Sequence, residues 1–206
     1  QPVGVTTIVA TGLQSSFAYN HFAIIGGIIL QPTRGTVGTV VGITGTGFTA
    51  NSNVRIDFGL TKTIALIQTS ANGSFSGAFT VDTQGYGTCA VSASANGGAY
   101  AALEFVILPS VYSVSPSEGS VGTVVNISGM GYAANDIVTI SFGTNEGIQT
   151  TVAGQYGSWA TSFTVDIQPY GTTTITSSGV SVATNVFSIQ PQVVSVVPTA
   201  GTIGTV

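Results

Sequence analysis

Of the 206 residues only 5% are charged and 43% are hydrophobic, and 28 glycines, 30 threonines and 22 serines supply most of the rest. Three cations, Arg34, Arg55 and Lys62, stand against seven acids for a net charge of −4, so no basic stripe is available to neutralise phosphates and nucleic acid is excluded as a partner. Disorder is excluded as well, because disordered chains combine low hydrophobicity with high net charge.

The chain opens on Gln1-Pro2 with no basic n-region, as expected of a mature, processed or excised chain rather than one bearing a signal peptide. Gly4-Val5-Thr6-Thr7-Ile8 resembles Gly171-Thr172-Thr173-Thr174-Ile175, and Phe22 follows Gly4 by the spacing that separates Gly87 from Phe105. Residues 1–27 are therefore expected to be the last two strands of a partial repeat. A first full unit, 28–109, follows, with strands expected near 28–31, 37–45, 53–59, 63–69, 74–82, 87–94 and 99–108. Alternation in Val54-Ile56-Phe58 marks a strand with one buried face. Asn72-Gly73 fits the two residues of a tight hairpin turn, whose central positions both need positive φ.

Residues 110–190 repeat that unit. The stretch 32–87 overlays 116–171 without a gap at an offset of 84, aligning Gly35, Gly38, Gly45, Gly47 and Gly73 with Gly119, Gly122, Gly129, Gly131 and Gly157. The segment 191–206 opens a further partial repeat, since Val193, Ser195, Val196, Pro198 and Gly201 match Val111, Ser113, Val114, Pro116 and Gly119. Turn clusters every 8 to 12 residues or so suit seven-strand immunoglobulin-like units, and no segment holds a 3.6-residue period. The expected fold is all-β: tandem antiparallel sandwiches, seven strands per unit, with partial repeats at both ends. Five aromatic pairs recur at fixed strand positions and are expected to fill the two cores: Phe48 and Tyr132, Phe58 and Phe142, Phe75 and Trp159, Phe79 and Phe163, Phe105 and Phe187. The longest apolar runs, 22–30 and 101–108, are at most half of the ~20 residues a membrane span needs.

The stretch from Val111 to Tyr132, with Ser113-Val114, Pro116, Gly119, Gly122-Thr123-Val124-Val125, Ser128-Gly129 and Gly131-Tyr132, resembles the immunoglobulin-like repeats of the IPT/TIG type. The resemblance covers both full units and part of each end. It implies spacers, stalks or adhesive modules of secreted and surface-anchored bacterial and archaeal proteins, not catalysts. The uncharged, Thr-rich texture also resembles archaeal thread-type filament subunits, which join head to tail by strand donation.

Little in the chain promises chemistry. A nucleophilic triad needs histidine beside a nucleophile, and the single His21 takes the repeat position of Glu104 and Val186, a solvated strand face. Cys89 stands where the second unit has Thr173; alone, it forms no internal disulfide or metal cluster and lacks a nearby base. Asp82 and Asp166 occupy equivalent strand ends, where a carboxylate is expected to receive backbone N–H groups of the turn. Asp57, Asp136, Glu118 and Glu146 have no acidic counterpart in the other unit, and no calcium-loop pattern occurs. No phosphate loop follows the glycines, which lack the Lys-Ser/Thr ending. Tyr86 and Tyr170, in turns, are the aromatics expected to be exposed. Two sequons, Asn72-Gly73-Ser74 and Asn126-Ile127-Ser128, are candidate acceptors of N-linked glycans; Asn72 is placed at a hairpin tip and Asn126 on an outward strand position.

The sequence thus points to a non-enzymatic structural protein without cofactor: an extracellular cell-surface filament, pilus-like fibre or stalk. Its partners would be other copies in a head-to-tail polymer, or further repeats of the same chain. A glycan- or surface-binding adhesin, or an accessory domain of a secreted enzyme, is the alternative.

Overall fold

The computed structural model describes residues 4–13, 16–193, 195, 197, 199–201 and 203. Every regular element among them is a strand. A separate hairpin, β1 (Gly4–Thr11) with β2 (Phe17–Ile24), comes first. Two sandwiches follow.

Unit 1 contains β3 (Gly27–Gln31), β4 (Arg34–Gly35), β5 (Val40–Thr46), β6 (Asn53–Phe58), β7 (Thr61–Gln68), β8 (Phe75–Thr80), β9 (Gly87–Ala95) and β10 (Tyr100–Ile107). A three-stranded sheet, β3-β5-β8, faces a five-stranded sheet, β4-β10-β9-β6-β7. Unit 2 repeats this with β11 (Ser110–Ser115), β12 (Glu118–Gly119), β13 (Val124–Met130), β14 (Ile137–Phe142), β15 (Asn145–Val152), β16 (Trp159–Thr164), β17 (Gly171–Ser178) and β18 (Val182–Ile189), in sheets β11-β13-β16 and β12-β18-β17-β14-β15.

Seven strands per unit were expected and eight segments occur, because the first strand of each unit divides. Its opening part, β3 or β11, pairs antiparallel in the small sheet. After Pro32 or Pro116 it crosses to the large sheet as β4 or β12 and runs parallel to the last strand. The Val106 amide donates to Thr33 O at 3.1 Å and that of Leu108 to Gly35 O at 2.9 Å; in unit 2 Ser188 donates to Ser117 O at 3.0 Å and Gln190 to Gly119 O at 2.8 Å. This patch covers one edge of the large sheet, which would otherwise be an open template for pairing.

Alternation does the rest. Along β13 the pattern turns Val125 and Ile127 inward and Val124 and Asn126 outward. All ten recurrent aromatics are buried, none more than 6% exposed, and they meet edge-on or tilted: Phe58 with Phe105 at 5.7 Å, Phe142 with Phe187 at 5.7 Å, Phe142 with Phe163 at 5.0 Å. Each such ring contributes about 1.5–3 kcal/mol by burial and about 0.5–1.5 kcal/mol more by its pairing. Gly45 and Gly129 are glycines because the rings of Phe75 and Trp159 lie directly over them, leaving no room for a Cβ.

Unit 2 varies the core in one place. Phe48 and Ala93 of unit 1 become Tyr132 and Ser177, all four fully buried or nearly so, and the two hydroxyls form a hydrogen bond of 2.6 Å. The new polar groups thus arrive together and satisfy one another.

The Asn72-Gly73 turn differs from expectation. Only Gly73 has positive φ, 75°, and Ser70 bonds both Gly73 N and the strand partner Ser74. The loop is the three-residue hairpin Ala71-Asn72-Gly73, a type I turn closed by a left-handed glycine. Unit 2 builds the same loop from Gln155, Tyr156 and Gly157 (φ 73°).

The hairpin β1–β2 has the register of β9–β10 and β17–β18. Gly4 faces Ile24 as Gly87 faces Ile107 and Gly171 faces Ile189. Its core-side residues are uncovered: Ile8 is 59% and Phe22 56% exposed, whereas their counterparts Val91, Ile175, Phe105 and Phe187 are at most 1% exposed. Phe22 takes the place of the buried Phe105, yet no opposing sheet among the described residues lies over it. The strand expected from Val193 falls where 194, 196, 198, 202 and 204–206 lie outside the described residues, as do 1–3 at the other end.

Candidate functional site

The two sequons lie on different kinds of surface. Asn72 sits at the loop tip, exposed, its Oδ1 accepting from Ser70 Oγ at 2.5 Å, Ser74 Oγ at 2.6 Å and Ser74 N at 3.3 Å. Asn126 stands mid-strand on the outer face of the small sheet of unit 2, exposed, paired with Ser115 on one side and Ser162 on the other. There it lies in an open groove of about 460 Å³ whose outward side chains include Ser113, Ser115, Ser128 and Ser162. The groove is hydroxyl-lined and carries no formal charge, so it offers neutral hydrogen-bonding partners and no electrostatic pull.

The two equivalent aspartates accept from side chains, not from turn amides as expected. Asp82 takes the Thr61 hydroxyl and, at 3.0 Å, Gln84 Nε2. Asp166 takes Asn145 Nδ2 at 2.7 Å and Gln168 Nε2 at 3.2 Å. Thr61 and Asn145 come from the neighbouring hairpin strand, which spacing along the sequence does not reveal, whereas Gln84 and Gln168 stand two residues on from each aspartate. Each carboxylate ties the β6–β7 or β14–β15 turn to the loop before β9 or β17.

Asp57 gathers two of the three cations. Arg55 Nε lies 3.1 Å away and Lys62 Nζ 3.8 Å, while the Thr63 amide donates at 2.8 Å. It is one buried anion fully met by partners. Cys89 packs at the margin of the unit 1 core. Burial, reinforced by the Asp82 carboxylate, pushes its thiol above the ordinary 9.0, the opposite of what a nucleophile needs. His21 is exposed on the hairpin, 3.4 Å from the Thr7 hydroxyl and edge-on to Tyr19. Among the described residues, no group of three or more His, Cys, Asp or Glu could hold a metal and no helix is long and apolar enough to cross a membrane.

The structure adds a joint that the sequence reading missed. Tyr86 N donates to Tyr132 O at 2.9 Å across the two units, and Gln84, beside it, is only 4% exposed. Its signal in the sequence is the recurrence of Gln84-Gly85-Tyr86-Gly87 as Gln168-Pro169-Tyr170-Gly171, with Gln1-Pro2-Val3-Gly4 as a third version.

No family model and no curated protein matches the chain. Among solved structures it is similar to the Yersinia pseudotuberculosis adhesin InvE, at 14% identity and a TM-score of 0.37 over 81% of this chain and 59% of that one. It is similar to the Bacteroides ovatus mixed-linkage glucan utilization protein SGBP-B, solved with a heptasaccharide, at 12% identity and a TM-score of 0.33 over 92% and 55%. The N-terminal eight Ig domains of Down Syndrome Cell Adhesion Molecule match at 13% identity and a TM-score of 0.29 over 91% and 32%. The chain thus spans less than two thirds of the length of each. It is an all-β chain whose structural neighbours include an adhesin and the Ig domains of a cell adhesion molecule.

Proposed function

We propose that the chain is a structural segment of an extracellular filament, pilus-like fibre or surface stalk made of Ig-like units in series, and that it takes part in no catalysis. The observation that carries this reading is the hairpin β1–β2. It repeats the closing hairpin of a full unit residue for residue, yet holds Ile8 and Phe22 in the open. Such a face is completed by strands of the same fold from neighbouring polypeptide, another copy or further repeats, and donated strands supply both main-chain bonds and core side chains. The direct passage from β10 through Pro109 into β11 suits serial units with little slack between them. Asn72 and Asn126, both exposed, are the proposed glycan sites.

Electron microscopy of native surface material together with intact mass decides the matter. Fibres or stalks containing the chain are expected, and subunits of about this chain's mass before glycan favour donation between copies. A chain that is monomeric in native material, with the Ile8 and Phe22 face open to solvent, refutes the reading. Peptide mass spectrometry at Asn72 and Asn126 tests the glycans separately.

A further inference from the structure

The two units end alike, one end occupied and the other open among the described residues. At the end of unit 1 the Tyr86 amide donates to Tyr132 O. The loop that carries Tyr132 is pressed close: Gly131 turns with φ 76°, and a Cβ there would come 2.5 Å from Leu108 O. Only glycine fits that approach. Under this loop Gln84 is 4% and Tyr86 40% exposed.

The same surface recurs at the end of unit 2 with no loop over it among the described residues. Val121, Gln168, Tyr170, Ile189 and Gln190 line a cleft of about 190 Å³, and they are the repeat counterparts of Val37, Gln84, Tyr86, Ile107 and Leu108. Tyr170 is 76% exposed, and its amide has no acceptor among the described residues. The backbone is already set: Gly87 and Gly171 have φ 115° and 116°, and each begins a strand that pairs with the closing strand in the same register. From Ile189 the chain passes Gln190 and Pro191 into 193–206, which repeats 111–124 in sequence. Pro191 and Gln192, which lead into that repeat, themselves line the cleft.

We propose that the cleft at Tyr170 seats the glycine-aromatic loop of a further Ig-like unit, the one opened by 193–206, whose loop carbonyl accepts from the Tyr170 amide as Tyr132 O accepts from Tyr86. The pairing is a repeated, directional joint made by a backbone hydrogen bond and a glycine contact, independent of charge. Its biological setting rests on the serial-unit reading above.

The test extends the full chain in cis. Residues 1–192 are followed by a second copy of 111–192, which brings a Gly-Tyr loop to the cleft, and amide hydrogen exchange is read at Tyr86 and Tyr170. In the parent chain Tyr86 should exchange slowly and Tyr170 fast. In the extended chain Tyr170 should slow by roughly tenfold or more, the effect of one protected hydrogen bond. In the same extended chain Tyr170→Pro, which deletes the donor, should free the third unit so that its tumbling decouples from unit 2 in NMR relaxation. Fast exchange at Tyr170 beside a folded third unit overturns the proposal. If the appended unit does not fold, exchange at Tyr170 in native surface material replaces it, with the same expectation and the same refutation. Because the extended chain does not need polymerisation, failure of the filament reading would leave this result standing, and the converse.

Discussion

Replacing Tyr132 by Phe and Ser177 by Ala, singly and together, tests whether the polar pair in the core of unit 2 is one coupled substitution. Both residues are 0% exposed, so water cannot replace a lost partner. Tyr132→Phe leaves the Ser177 hydroxyl with only its weaker bond to Ala183 O, 3.2 Å. Ser177→Ala leaves the phenol with Ser177 O at 3.3 Å. Each single change should cost about 1–2 kcal/mol, the low end for stranding a buried hydroxyl. The double variant recreates the Phe48–Ala93 pair with which unit 1 closes the same space, and should cost about 1 kcal/mol or less, a coupling of about 1–3 kcal/mol. Urea unfolding followed by Trp159 fluorescence isolates the effect, because Trp159 is the single tryptophan and lies 5.6 Å edge-on from Tyr132. Single costs that add to the double within about 0.5 kcal/mol would show that the two hydroxyls contribute independently and refute the reasoning.

Truncating Phe79 or Phe163 to Ala should cost ~3–5 kcal/mol in its own unit; in calorimetry Phe163→Ala should lower the transition reported by Trp159 and leave the other in place. Stability should be level through neutral pH and fall in alkali. The half-buried Cys89 thiol is raised above 9.0 and the buried Tyr132 phenol above 10.0, so each contributes stability below its unfolded value that is lost as the pH climbs past it. Melting temperatures from about pH 8 to 11 should show this, with Tyr132→Phe removing the upper part of the decline; a rise in stability above pH 9 would contradict it. Assemblies of the chain should survive roughly 1 M salt, where the Debye length is ~3 Å, since unit 2 carries no cation and two of the three in the chain are committed to Asp57; light scattering that shows dissociation there would refute a charge-independent joint.

The duplicated fold was legible because two units must fill the same space with the same rings. Phe58 and Phe142, or Gly45 beneath Phe75 and Gly129 beneath Trp159, recur for packing reasons that leave a trace in the sequence. The crossing of the first strand was not legible, since β4 and β12 are two residues long and carry no periodicity. Asn72-Gly73 fits two hairpin turns equally well, and the choice is made by Ser70 and Ser74 across the loop. Thr61 and Asn145, the strand partners of Asp82 and Asp166, lie 21 residues away. At the joint, Tyr86 and Tyr170 are the same residue in the same motif. Only three-dimensional surroundings distinguish them: the Tyr86 amide bonds Tyr132 O, and that of Tyr170 meets no acceptor among the described residues.

The short parallel pairing of β4 with β10, and of β12 with β18, decides how a unit answers tension. The chain enters a unit through the strand that contains β4 and leaves through β10, so pulling on the two ends drags these parallel neighbours in opposite directions along their length. The bonds from Val106 to Thr33 and from Leu108 to Gly35 then resist in shear, together, instead of opening one after another like a zipper. Unit 2 places Ser188–Ser117 and Gln190–Gly119 in the same geometry. Each sandwich is thus expected to act as a mechanical fuse with a two-bond clasp at its seam, and units in series to yield one by one, lengthening under load without parting.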